Sequence, residues 1–358
     1  MMLITIISFI IVLGLLIFFH EFGHYFVAKL VDIRVEEFAL GFGPKLVSHR
    51  KGETIYSIRA VPLGGFCSMT GEEVPDENAD QEARQIYEET LEAGRCFHQK
   101  SLPRRFAVVF MGPLMNFVLA FLLFVIYFAA FGLPVMNPDS TVIGEVIPER
   151  PAAEAGLQPG DEIRAIDGNR VEEWADITTI IHDGQEGRQL SLEYVRNGEI
   201  KSTVVVPEYA PREERVAIGI MSSYSFRKTG FFESIKRGGQ TIWNLLALMY
   251  NEVVGMITGR LPADVGGPVR IASEIGSRTR RGLEHLIEFT AMLSVNLAII
   301  NLLPIPALDG GRILFFLLEA VRGKPIDPRK EGLIHLIGFV VLMLLMGFII
   351  YLDIAGLF

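Results

Sequence analysis

Long stretches without one acidic or basic side chain alternate along this chain with stretches dense in them. Four apolar runs stand out, Leu3–Phe19, Phe106–Pro138, Phe289–Leu308 and Gly332–Leu352. Each is close to or above the roughly 20 residues a helix needs to cross a hydrocarbon layer, so the pattern predicts four transmembrane helices. A shorter run, Gly238–Asn251, falls below that length and reads as a buried or interfacial helix. The first run has no basic segment before it and no small-residue cleavage site after it, and so reads as a retained helix and not a signal peptide.

The intervening segments carry other patterns. Thr54–Met69 is β-prone and broken at Pro62-Leu63-Gly64-Gly65, which predicts a hairpin or bent strand with a corner at Gly64-Gly65. Glu72–Glu92 is acidic, with Arg84 as its single basic residue, and reads as a solvated, partly helical connector. Residues 140–208 read as a small domain of short strands. Thr141–Val146 is a strand, Pro151–Gly156 a short helix with a glycine cap, and Gln158–Asp161 a turn into the strand Glu162–Ile166. Asp167-Gly168 and Asn197-Gly198 supply hairpin turns. The order of elements in PAAEAGLQPGDEIRAIDG resembles a PDZ domain, a module that binds an extended peptide beside a strand edge.

Composition narrows the class. Half of the residues are apolar, 21% are charged and the mean hydropathy is +0.36, values outside the range of an ordinary soluble enzyme. With 33 basic against 42 acidic residues the net charge is −9, which argues against a nucleic-acid partner. Two cysteines, Cys67 and Cys96, support neither a disulfide framework nor a cysteine zinc cluster. Basic residues set the expected topology. Lys29 and Arg34 follow run 1, Lys100, Arg104 and Arg105 precede run 2, and Arg312, Arg322, Lys324, Arg329 and Lys330 lie between runs 3 and 4. Those two loops are expected in the cytoplasm, with the N-terminus, the PDZ-like segment and the C-terminus outside.

The chemistry begins where run 1 meets His20-Glu21-Phe22-Gly23-His24. Histidines four apart share one helix face and can bind one Zn²⁺, and Glu21 is placed to act as a general base on water. Ionisable groups at membrane depth are costly unless they pair or bind something. A catalytic zinc takes a third protein ligand. Asp309 closes the third apolar run in Asn301-Leu-Leu-Pro-Ile-Pro-Ala-Leu-Asp309-Gly-Gly311, where two prolines break the helix. On residues alone Asp309 is either that ligand or the N-cap of the next helix.

Almost the full length then resembles the site-2 protease family of intramembrane zinc metalloproteases, and most closely its bacterial regulator-of-sigma-E type with a single PDZ domain. The resemblance rests on HEFGH at 20–24, GFGPKL at 41–46, PLGGF at 62–66, MGPLMNF at 111–117, the PDZ-like segment and NLLPIPALDGG at 301–311. It implies one Zn²⁺ per chain held by His20, His24 and Asp309, with Glu21 as the catalytic carboxylate. It also implies Asn301 and Asn116 on the substrate side, Asn116 forming a Gly-x-x-x-Asn element with Gly112, and an edge strand at Gly64-Gly65 that receives the unwound substrate. The fold expected is a polytopic α-helical membrane protein with four transmembrane helices, a membrane-associated β element and an inserted PDZ-like α/β domain. Its expected divisions are 1–30, 31–103, 104–135, 139–210, 211–282, 283–311, 312–331 and 332–353. The expected substrates are single-span proteins of a bacterial plasma membrane, such as anti-sigma factors or signal-peptide remnants. They would be cut towards the cytoplasmic side after an earlier trim outside, the PDZ-like domain acting as a size filter. A PDZ adaptor without catalysis and a transporter are the other classes; intact zinc-ligand residues oppose the first, and the lack of an internal repeat opposes the second.

Overall fold

The structure is a computed structural model describing residues 2–72, 81–182, 187–210, 215–260, 267–324 and 328–355. In chain order its helices are α1 (Met2–Leu30), α2 (Gln81–Glu92), α3 (Leu102–Ala130), α4 (Pro151–Glu154), α5 (Trp174–His182), α6 (Phe231–Ile257), α7 (Pro268–Arg281), α8 (Leu283–Leu302), α9 (Asp309–Arg322) and α10 (Pro328–Ala355). The strands are β1 (Val35–Lys51), β2 (Thr54–Met69), β3 (Leu133–Met136), β4 (Ile143–Val146), β5 (Glu162–Ile166), β6 (Asn169–Arg170), β7 (Leu190–Arg196), β8 (Glu199–Val205), β9 (Glu208–Ala210), β10 (Arg215–Ala217), β11 (Ile220–Ser222) and β12 (Tyr224–Arg227). Two compact units form, one of Met1–Tyr127, Ile235–Met249 and Asp264–Phe358, the other of Phe128–Ser234 and Tyr250–Ala263.

In the first unit four helices are long and apolar enough to span a bilayer: Met2–Leu30, Leu102–Ala130, Leu283–Leu302 and Lys330–Asp353. The chain is thus a multi-pass membrane protein. The third span is the shortest at 20 residues, about 30 Å of helix, because Pro304 and Pro306 end it. Residues 73–80 of the acidic connector lie outside the described residues; Gln81–Glu92 forms α2, mostly solvent-exposed. The α7 N-terminus is capped from α10, where the Asp353 carboxylate accepts the N–H groups of Gly267, Val269 and Arg270 at 3.1–3.2 Å.

The β element is larger than the stretch 54–69 suggested. β1 and β2 are antiparallel partners joined by a tight turn, with Lys51 opposite Thr54. Both strands bend, so that the first part of β1 lies between the two halves of β2, with Leu40 opposite Gly65 on one side and Ile58 on the other. The bend in β2 falls at 61–65, where its pairing passes from Phe42 opposite Val61 to Leu40 opposite Gly65. Val27, Ala28, Val35, Cys67, Met69, Phe97, Val108 and Phe316 bury together and fix this sheet to α1, α3 and α9. The hairpin tip is pinned by charge: Glu53 accepts from Lys29 at 2.6 Å and from both terminal nitrogens of Arg95 at 2.9 Å, and Arg95 also reaches Asp32 at 2.7 Å.

The second unit is PDZ-like. Its four-stranded sheet runs β6-β5-β7-β8 and β4 pairs with β11, around a core of Ile143, Ile163, Ile166, Ile177, Leu190, Leu192 and Ile218. The Gln158–Asp161 turn is locked because Asp161, almost fully buried, takes two 2.7 Å bonds from Arg196 and one at 2.8 Å from the Gln158 N–H. Those donors hold its carboxyl below the usual range. This unit reaches beyond residue 210, since Ile218 belongs to its core and β11 completes the β4 pair. The strand is too short for its alternation to be read without its partner. The chain enters and leaves the globular part side by side, with the Asn137 N–H on the Ser223 carbonyl and the Ser140 and Ser223 hydroxyls bonded, each at 3.1 Å.

Lys29 and Arg95 lower the Glu53 carboxyl from 4.5 to about 2, so the pair stabilises the fold above pH 4.5 and loses that contribution as pH falls towards 2. Glu53→Gln should therefore lower the thermal midpoint near neutral pH, and its deficit should shrink on acidification. A deficit constant from pH 7 to pH 3 would show the charge to be irrelevant.

Candidate metal centre

Three elements bring the ionisable groups together. α1 supplies His20 and His24 one turn apart; the Leu303–Leu308 loop supplies the approach to Asp309, the first residue of α9. That loop is irregular backbone, tolerated at membrane depth only where protein satisfies it. Ala307 adopts a positive φ of 76°, and its N–H is accepted by His335 Nδ1 of α10 at 3.0 Å. Asp309 is thus not the residue preceding the helix, Leu308 holding that place, and its side chain turns to the histidines.

The Nε2 atoms of His20 and His24 lie 3.3 Å apart, and Asp309 Oδ2 lies 3.2 and 3.5 Å from them. A tetrahedral ion with ligand bonds of about 2.0–2.1 Å separates its ligand atoms by roughly 3.3–3.4 Å, so the three atoms already stand at the edges such a polyhedron requires. Asp309 Oδ2 is buried and has no ordinary hydrogen-bond donor among the described residues. The donor set, two imidazoles and one carboxylate, suits zinc. His24 Nδ1 lies 2.9 Å from the Val108 carbonyl, which can only accept; the proton therefore sits on Nδ1 and the Nε2 lone pair is free for a metal.

A cavity of about 1390 Å³ opens onto this cluster. Its wall includes Glu21, Asn301 and the β2 segment from Gly64 to Thr70. Glu21 is buried, and the Cys67 N–H is directed at its carboxylate. Gly65 is required by close approach: a Cβ there would lie 2.7 Å from Ile17 Cγ2 and from the Ala39 carbonyl, and 3.1 Å from Glu21 Cγ. Of the expected site residues, His20, Glu21, His24, Gly64, Gly65, Asn301 and Asp309 thus share one cavity. Asn116 does not. It is completely buried, absent from the wall, and set against His20, with Nδ2 3.3 Å from Nδ1. The substrate contact expected of it gains no support from this placement against the outer side of the His20 ring.

Three participants escaped the sequence reading. His335 is an ionisable residue within the fourth span, a signal that was present. Arg312, one turn beyond Asp309, pairs with Glu72 across the cavity wall, and the Val108 carbonyl holds His24. Those contacts join residues 240 and 84 positions apart, which no local pattern reveals.

A His–His–Asp cluster beside a second carboxylate, set among membrane helices, is the arrangement of a membrane-embedded metallohydrolase. The comparisons agree. The profile of Peptidase family M50 matches residues 8–345. The zinc metalloprotease RasP of Geobacillus kaustophilus is 37% identical, covering 99% of this chain and 98% of its own length. The regulator of sigma-W protease RasP of Bacillus subtilis is 33% identical, covering 99% of each. A PDZ domain of an SdrC-like protein from Listeria monocytogenes matches 25% of this chain and 92% of its own, at 23% identity and a TM-score of 0.22. The chain belongs to peptidase family M50, the site-2 proteases, and is an intramembrane zinc metalloprotease.

Asp309→Ala should deplete zinc and activity together, because it removes one of three converging ligand atoms. Metal analysis of the purified variant checks this; full zinc occupancy with normal turnover would return Asp309 to a purely structural part.

Proposed function

We propose that His20, His24 and Asp309 hold the zinc, that Glu21 is the general base, and that the substrates are transmembrane segments of single-span membrane proteins in a bacterial plasma membrane. The observation that carries the reading is the convergence of three ligand atoms at metal-ligand spacing beside Glu21, on the wall of a cavity that also includes a strand. When bound, zinc polarises the scissile carbonyl and acidifies water. Glu21 takes one proton from the attacking water and delivers it to the leaving nitrogen as the C–N bond breaks.

A transmembrane helix hides its carbonyls in its own hydrogen bonds, so the segment to be cut must first unwind. The Gly65–Met69 part of β2 pairs with β1 alone among the described residues, and it forms cavity wall beside Glu21. An unwound segment could add there as a further strand, with Gly64 and Gly65 leaving room for its backbone. Asn301 offers an amide to that backbone. The sidedness follows the basic loops: the site lies towards the cytoplasm and the PDZ-like domain outside.

The relative named as a regulator of sigma-W protease supports anti-sigma factors as one substrate class. Remnant signal peptides are chemically similar, being single apolar helices with little outside the membrane. For both, the cut described here is the second of two, and the PDZ-like domain excludes substrates with large external parts. Bulk alone performs such filtering, so it needs no peptide bound beside a strand.

Two experiments test this reading. Glu21→Gln should abolish cleavage and leave zinc in place; joint loss of both would mean that Glu21 has been given the wrong role. Because the chain enters and leaves the PDZ-like domain at adjacent points, residues 139–222 can be replaced by a short Gly-Ser linker. The shortened enzyme should cleave an untrimmed substrate that the full enzyme leaves intact. If it cleaves trimmed substrate and still refuses the untrimmed one, the filter is wrong.

A further inference from the structure

Asn116 of α3 stands behind the ligand cluster and is not part of the cavity wall. The Asn116 side chain is wholly enclosed, and its Oδ1 has no hydrogen-bond partner among the described residues. Its backbone carbonyl is held by Ser294 at 2.8 Å, which fixes α3 against α8 at this level. Its Nδ2 meets the outer nitrogen of His20, at 3.3 Å. Two turns earlier on the same helix, the Val108 carbonyl meets the outer nitrogen of His24. Gly112 lies midway between them, and a Cβ there would run into the His24 ring. Pro113 follows and has no N–H to offer the Val109 carbonyl. The segment from Val108 to Asn116 therefore forms one support: an acceptor for His24, a gap for its ring, and an amide for His20.

We propose that Asn116 is a positioning residue that sets the His20 tautomer, presenting Oδ1 to the Nδ1–H when Nε2 binds zinc and Nδ2 to a bare Nδ1 when it does not. A histidine that binds a metal through Nε2 must carry its proton on Nδ1, and needs an acceptor there. With Nδ2 facing Nδ1, His20 keeps its proton on Nε2, among the other ligand atoms. A half-turn of the amide occupies the same volume and exchanges donor for acceptor. Asparagine serves both tautomers; the Val108 carbonyl can serve only one. His24 is in this way set permanently for metal, and His20 is set by the amide. The pair Gly112 and Asn116, one turn apart, then has a single purpose towards the two histidines.

The proposal rests on His20 being a zinc ligand, and the experiment separates the two claims. Zinc affinity is measured on the detergent-solubilised full chain by competition with a chromogenic chelator, for the parent, His20→Ala, Asn116→Leu and Asn116→Asp. Asn116→Leu keeps the volume and removes the acceptor; its affinity should fall by about 10–100-fold, the usual cost of losing a metal ligand's outer partner. Asn116→Asp offers acceptors only, favours the metal-ready tautomer, and should bind zinc at least as tightly as the parent. A substrate-binding Asn116 would leave zinc affinity untouched in both variants and raise KM instead, and that result would overturn the proposal. Should the leucine variant fail to fold, the aspartate variant decides alone: zinc bound more weakly than by the parent would overturn it. If His20→Ala retains parental affinity, the ligand assignment itself has failed, whatever Asn116 does.

Discussion

The structure is organised by the cost of keeping polar groups in an apolar medium. Three ligand atoms and the Glu21 carboxylate stand among helices whose outer faces are hydrocarbon. Uncompensated, such groups would shift their protonation or pull the helices apart. They are compensated by one another and by fixed partners. Val108 and Asn116 of α3 stand behind the histidines, the Cys67 N–H faces Glu21, and His335 of α10 satisfies the strained loop that delivers Asp309. Each of the four membrane helices thus contributes a polar group at or behind the centre, α8 doing so through Ser294 and through Asn301 near its broken end.

Much of this was legible in the sequence because it is local. The spacing of His20 and His24 needs only the helical period, and the run from Asn301 to Gly311 announces a helix break followed by an acid. The four spans follow from composition alone. The PDZ-like segment could be read because its turns carry Gly, Asp and Asn at positions that demand them. Its closing strand could not, since β11 is three residues long and takes its meaning from β4, more than seventy positions earlier. For the same reason β1 was not foreseen as a strand: its residues 35–51 mix charge, glycine and proline, and its pairing is visible only once β2 is laid beside it.

The role of Asn116 shows where motif reading stops. Sequence placed it near the site, and the structure sets its amide 3.3 Å from the outer nitrogen of His20, where we propose it acts on that ring. A buried amide facing the back of a histidine can govern whether that histidine offers a lone pair. Asn301, by contrast, shares the cavity wall with Glu21. Geometry separates two asparagines that composition and spacing treat alike.

The central claim is the identity of the zinc ligands, and zinc K-edge X-ray absorption of the purified full chain tests it most directly. The account predicts a light-atom shell at about 2.0–2.1 Å, with the multiple-scattering pattern of two imidazoles and the remainder oxygen. A sulfur shell near 2.3 Å, or scattering from one or three imidazoles, would contradict it.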